Sequence, residues 1–266
     1  MVIDFHTHAF PEKIVARAID TLAKTSGNVI PFSDGTVDGL LHTMDEGGVD
    51  RSVVLNIATN EGQMSKVNDF AISIDGYAER LISFGSVYPG SGAALEELHR
   101  LHEAGVRGIK LHPEYQDFFV DDDRMTPVYE LLGQLGMITV FHSGLDNGFM
   151  GPVHCTPQRV KAMLPAFGGA PVVLAHMGGY ILWNEVLEVL AGLDGLYFDT
   201  SFCYSRIPMP LCRAIIERHG AEHILFGSDS PWSPPRLERR LVEGLSLPDE
   251  SVAAVMGGNA CRLLKM

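Results

Sequence analysis

Cysteine is scarce in this chain. Cys155, Cys203, Cys212 and Cys261 are the only four in 266 residues, widely scattered and without a CxxC pair. That excludes a disulfide framework and a thiolate zinc knuckle, and it fits a reducing compartment. Long apolar runs are missing as well: none approaches the roughly 18–20 residues of a membrane span. The opening stretch MVIDFHTHAFPEK has no basic segment followed by an apolar core, so it does not read as a secretory signal, and a cytoplasmic location is the expectation. Positive charge is in deficit. Lys and Arg number 20 against 33 Asp and Glu, a formal net charge of −13, which argues against a non-specific nucleic-acid binder. There is no Pro/Gly/Ser linker, no low-complexity tract, and no GxSxG elbow that would make Ser201 or Ser228 a nucleophile.

What is present is an ordinary globular composition, 46% hydrophobic and 20% charged. Short β-rich apolar runs recur at residues 2–5, 52–57, 81–87, 108–111, 138–141, 171–175, 196–199 and 223–226. Most are continuous rather than alternating, as strands buried on both faces require. Between them lie helical patterns. AALEELHRLHEA (93–104) places Leu95, Leu98 and Leu101 on one face and stops at Gly105, and 126–135 stops at Gly136. Further helices are expected from Pro157, over 180–190, within the long first connection (9–51, with 28–35 as loop) and over 250–264. Eight strand–helix units of about 30 residues predict a single-domain α/β chain, 1–266, folded as a (β/α)8 barrel.

Active sites of such barrels form at the C-terminal ends of the strands. Five of the eleven histidines fall there: His6 and His8 after the first strand, His112 after the fourth, His142 after the fifth and His176 after the sixth, joined by Asp229 after the eighth. Side chains at i and i+2 of a strand share a face, so His6 and His8 can address one cation. A polar loop just past the strand is the alternative for the pair taken alone. Imidazole and carboxylate donors without thiolate suit Zn2+ first, then Mn2+ or Fe2+, as one or two ions. Asp229 would move a proton, bind metal, or do both; the plain alternative is a capping residue. Lys110 and His112 share a strand face. Lys110 is read as a bridging ligand, as a point charge for a substrate carboxylate, or as half of a structural salt bridge.

The segments DFHTH, GIKLHP, FHSG, LAHMGG, YFDTS, FGSDSPW and GGNACRLL, in this order, resemble the amidohydrolase superfamily, and within it the branch called amidohydrolase family 2, from Asp4 to about Leu264. The resemblance implies a divalent metal at the barrel mouth held by His6, His8, His142 and Asp229. His176 would bind the metal or polarise the substrate. It also implies an enzyme. A hydrolase using a metal-activated water on an ester, lactone or amide of a small anionic molecule ranks first, with catalytic roles for Asp229, His176 and Lys110. The alternative is a metal-dependent, non-oxidative decarboxylase of a small unsaturated or aromatic acid. Neither nucleic acid nor membrane is an expected partner. Dimers are common among such barrels, which makes a homo-oligomer the expected assembly.

The loops after the strands set substrate choice. His112 reads as a substrate contact or a satisfied structural histidine, Trp232 as pocket wall or packing, and His154 as a substrate contact or a solvated surface residue. Glu114, Tyr115, Asp117, Phe118 and Phe119 lie in the loop after the fourth strand. His99, His102, His219 and His223 are read as structural, and Asp121–Asp123 as a solvated turn lacking the ligand spacing of a calcium loop.

Overall fold

A computed structural model describes residues 1–266. Eight parallel strands run in chain order: β1 (Ile3–Thr7), β2 (Arg51–Leu55), β3 (Leu81–Phe84), β4 (Gly108–Leu111), β5 (Ile138–Phe141), β6 (Val172–Leu174), β7 (Leu196–Asp199) and β8 (Ile224–Leu225). β1–β3 pair continuously, as do β4–β8. Two seams close the ring. At one, the Gly85 N–H donates to the Gly108 carbonyl (3.0 Å) and the Lys110 N–H to the Gly85 carbonyl (2.8 Å). At the other, the Phe5 N–H donates to the Phe226 carbonyl (2.8 Å) and the His8 N–H to the Ser230 carbonyl (2.7 Å). The result is the (β/α)8 barrel that the strand rhythm predicts.

Two apolar layers hold it. Inside, Ile3, Phe5, Val53, Leu55, Ile82, Phe84, Ile138, Val140, Val173 and Leu225 fill the lower barrel, joined by Ala260 and Leu264 from the C-terminal segment. Outside, a cluster of 48 buried residues lies between the sheet and its helices. The run β4–α4 shows how the sequence writes this. Ile109 and Leu111 belong to the outer cluster, as do Leu98 and Leu101 of α4 (Ala94–Glu103), while Lys110 between them does not.

The helices are α1 (Val15–Thr25), α2 (Val37–Gly47), α3 (Glu61–Ile74), α4, α5 (Thr126–Leu135), α6 (Pro157–Met163), α7 (Trp183–Glu185), α8 (Met209–His219), α9 (Pro235–Gly244), α10 (Asp249–Ala253) and α11 (Asn259–Leu263). The long first connection holds two helices, α1 and α2, the extra one its length allows. The helix expected over 180–190 starts later, at Trp183, because Tyr180 bridges Gly144 and Ile181 is left-handed (φ 68°). The tail is not one helix. It breaks into α10, a wide turn over Ala254–Gly258, and α11. Gly257 is the reason: a Cβ there would collide with the Met1 carbonyl, so the chain crosses the start of β1 at glycine.

Asp4 is a buried tie across the second seam. It accepts from the Ser228 N–H (2.9 Å) and Ser228 Oγ (2.5 Å). Asp4→Ala leaves both donors buried without a partner, at about 1–3 kcal/mol for such a loss. Urea unfolding of that variant is expected to show a lower midpoint with an unchanged slope.

Candidate metal centre

His6, His8, His176 and Asp229 all sit where the backbone departs from regular strand. The β1–β2 register shifts between Asp4 and Thr7. Strict alternation from the inward Ile3 and Phe5 would aim His6 and His8 outward. The irregularity turns them in, as bulges beside active sites do. Gly227 opposite leaves room, since a Cβ there would lie 3.0 Å from the His6 Cβ. His176 (φ 58°) and Asp229 (φ 72°) are left-handed non-glycine residues, a conformation that needs outside support. The Asp229 N–H donates to the His6 carbonyl (2.8 Å). The His176 N–H donates to Asp199 Oδ1 (3.0 Å), and its carbonyl accepts from the Trp183 indole (3.0 Å).

The donor atoms of His6, His8 and Asp229 all lie within 4.8 Å of one another. Asp229 Oδ1 is 3.2 Å from His8 Nε2 and 3.5 Å from His6 Nε2. His176 Nε2 faces His142 Nδ1 at 3.2 Å. The His176 ring lies 5.4 Å from that of His6 and 4.9 Å from that of His142. His142 and His176 lie outside the His6, His8 and Asp229 cluster: His142 touches His176 and groups instead with His112 and Asp146.

The outward nitrogens decide what these rings can bind. His6 Nδ1 faces Asp199 Oδ2 (2.8 Å), His8 Nδ1 the Leu55 carbonyl (2.9 Å), and His176 Nδ1 the Ser201 carbonyl (3.0 Å). Each of these partners can only accept, so each neutral ring places its one proton there. The inward nitrogens then carry lone pairs, and those of His6 and His8 face a carboxylate oxygen. Lone pairs converging on an anion repel unless a cation sits among them. The donor set therefore fits a divalent metal, with the outer acceptors fixing ring orientation.

Charge follows the same logic. Burial, and next the charge of Lys110, lower the His6 pKa to about 4, so the ring is neutral. Burial opposes ionisation of Asp199, yet His6 and Ser201 hold it well below the usual carboxylate range. Burial also opposes ionisation of Asp229, but the imidazoles around it, His8 first, keep it below the usual carboxylate value. His112 and His142 are pushed well below the usual imidazole value, first by burial and then by neighbouring positive groups. Lys110 is 1% exposed and its Nζ has no hydrogen-bond partner, which removes the structural salt bridge as its role.

His112 stacks on His142 (4.2 Å, 10°) and carries Tyr115 on its other face (3.9 Å, 24°). Trp232 is half-buried and donates its backbone N–H to the Asp229 carbonyl (2.7 Å). His154 ties two loops together: its N–H donates to Glu114 Oε1 (3.0 Å), its Nδ1 faces the Pro113 carbonyl (3.0 Å), and its ring rests on Phe119. His219 stacks on Phe198 behind the barrel, with Nε2 on the Leu196 carbonyl. Two further acidic residues face the histidines, Asp199 on His6 and Asp146 beside His112 and His142. Asp199 stands in YFDTS at a strand end, the signal that marked the histidines. Asp146 stands four residues past His142 in a loop, where spacing carries no signal.

Residues 3–266 match the family model Amidohydro_2, described as "Amidohydrolase". The chain belongs to this family. No protein of curated function matches it. Among solved structures, an uncharacterised TIM-barrel protein of Bordetella bronchiseptica superposes with a TM-score of 0.78 at 18% identity, covering 99% of this chain and 98% of that one. A 5-carboxyvanillate decarboxylase of Sphingomonas paucimobilis gives 0.72 at 18% identity, covering 100% and 99%. A dihydroxybenzoic acid decarboxylase of a Polaromonas species, with bound manganese and the inhibitor 2-nitroresorcinol, gives 0.70 at 17% identity, covering 99% and 96%. No helix of this amidohydrolase-family chain is long and apolar enough to cross a membrane.

Burial lowers the Lys110 pKa from 10.5 to about 8. Between those values the unfolded chain binds a proton that the folded one has released, so stability rises with pH from about 8 to 10.5. Lys110→Met in metal-free protein is expected to flatten that slope. It should also raise stability at pH 7 by about 1–3 kcal/mol, measured by denaturant unfolding at several pH values.

Proposed function

We propose that this chain is a metal-dependent, non-oxidative decarboxylase of a small planar acid, aromatic or conjugated. The observation that carries the reading is the aromatic layer beside the donor set. Tyr115 stacks on His112, Phe149 meets Tyr115 edge-on at 5.1 Å, and Tyr180 lies 6.0 Å from the His176 ring. Flat aromatic walls next to a few aimed polar groups select a flat, oxygen-bearing ligand. The decarboxylases of benzoate- and vanillate-type acids among the structural neighbours support the same choice over hydrolysis, which the sequence alone ranks first.

His6, His8, His142, His176 and Asp229 would hold the ion, with Mn2+ or Zn2+ as the candidates. When bound, it supplies positive charge that fixes and polarises the substrate's oxygen atoms. Lys110, buried and without a partner, meets the substrate's negative charge as a point cation. Asp229, ionised beside His8, takes up a proton from the substrate or solvent at a carboxylate oxygen and returns it to carbon. The bond from ring or chain carbon to the carboxyl carbon breaks. CO2 leaves, and the electron pair left behind accepts that proton. Tyr115 and Phe149 shield this carbon from bulk water.

Protein loaded with Mn2+ or Zn2+ would be offered a panel of planar carboxylic acids in D2O. One CO2 per turnover with one deuterium at the vacated carbon is expected. Hydrolysis of an ester, lactone or amide with solvent oxygen in the product, and no CO2, overturns the reading. His8→Ala should retain the fold by circular dichroism, lose its metal by elemental analysis, and slow turnover about 100-fold or more.

A further inference from the structure

His142 differs from the other imidazoles. Its Nδ1 points at His176 and into the donor set, but its Nε2 is buried with no hydrogen-bond partner. Asp146 Oδ2 lies 3.8 Å from it. The same oxygen is 3.4 Å from His112 Nε2.

The hydrogen bonds around Asp146 fix who donates. The Tyr115 backbone N–H approaches His112 Nδ1 at 3.4 Å, so that nitrogen accepts. A neutral His112 then carries its proton on Nε2, on the side of Asp146. The other carboxylate oxygen, Oδ1, accepts the Gly148 N–H at 2.7 Å. Oδ2 is therefore free to accept from both rings. A second cation held by His112, His142 and Asp146 is the rival, since their donor atoms also lie within 4.8 Å of one another. The rings argue against it. They are parallel to within 10° and 4.2 Å apart, so their in-plane lone pairs run side by side and do not meet at one ion.

We infer that Asp146 is a positioning residue for the metal centre: held by Gly148, its carboxylate stands as a counter-charge opposite the Nε2 edge of His142, favours the proton on that nitrogen and keeps Nδ1 of the ring turned toward the ion. It would do for His142 what Asp199 does for His6. The difference is where it stands. Asp199 closes a strand, whereas Asp146 lies in the β5–α6 loop that also carries Phe149, and Gly148 there packs so closely on the Thr25 carbonyl that a Cβ would lie 2.7 Å from it. Ion binding and the seating of this loop on the end of α1 are then linked. His112 acts through Asp146 rather than on substrate.

The inference rests on the divalent-cation reading, and Zn2+ titration against a chromophoric chelator separates the two. Asp146→Ala is expected to bind Zn2+ 10–100-fold more weakly than wild type, and Asp146→Asn, which keeps a neutral acceptor, to fall between. 15N-histidine spectra of the metal-free protein should show His142 protonated on Nε2 in the wild type and a mixture of tautomers in Asp146→Ala. Wild-type affinity in both variants with an unchanged tautomer overturns the inference and leaves the metal reading standing. Two Zn2+ per wild-type chain falling to one in both variants overturns it in favour of the second cation site. No Zn2+ binding by the wild type overturns both.

Discussion

A neutral imidazole has one proton, and everything at this barrel mouth depends on where that proton goes. Asp199 and the carbonyls of Leu55 and Ser201 each draw a ring's proton outward. Three inward nitrogens are left as bare donors, two of them facing a carboxylate. Such an arrangement is unfavourable alone and favourable around a dication, so the outer acceptors select a metal as firmly as the donors do. It also explains the strain nearby. Left-handed backbone at His176 and Asp229 is unfavourable by roughly 1–3 kcal/mol each, and it persists because strand-end hydrogen bonds over-determine it.

Barrel architecture and metal site meet in the strand parity. Lower residues of each strand fill the interior with hydrocarbon, and the next positions up turn polar: Lys110 above Gly108, His142 above Val140, Asp199 above Tyr197. This gives a dry floor beneath a charged layer. Burial therefore acts strongly on every titratable group there, pushing His6 down to about 4 and Lys110 to about 8.

The strand positions were legible in the sequence because short apolar runs, too brief for helices, recur between turn signals and helical patterns. β4, β5 and β7 have the expected bounds, and the helix stops at Gly105 and Gly136 mark real ends. What the sequence hid was geometry without periodicity. The β1 irregularity cannot be seen in IDFHT, where simple alternation appears sufficient. The break at Gly257 depends on Met1, at the far end of the chain. For the site, strand-end histidines could be found by position, but Asp146 could not: a loop aspartate gains its meaning only from the rings that fold against it. The sequence allows three roles for Lys110, and the lack of any partner for its ammonium narrows them.

The left-handed turns at His176 and Asp229 also channel how this sequence can drift. Asparagine and glycine accept such a backbone readily, whereas β-branched residues resist it. Exchanges that silence the centre while sparing the barrel thus lie close at hand. Descendants that have lost the chemistry should still carry small amides or glycine at those two places, a fossil imprint of the ion their ancestors gripped.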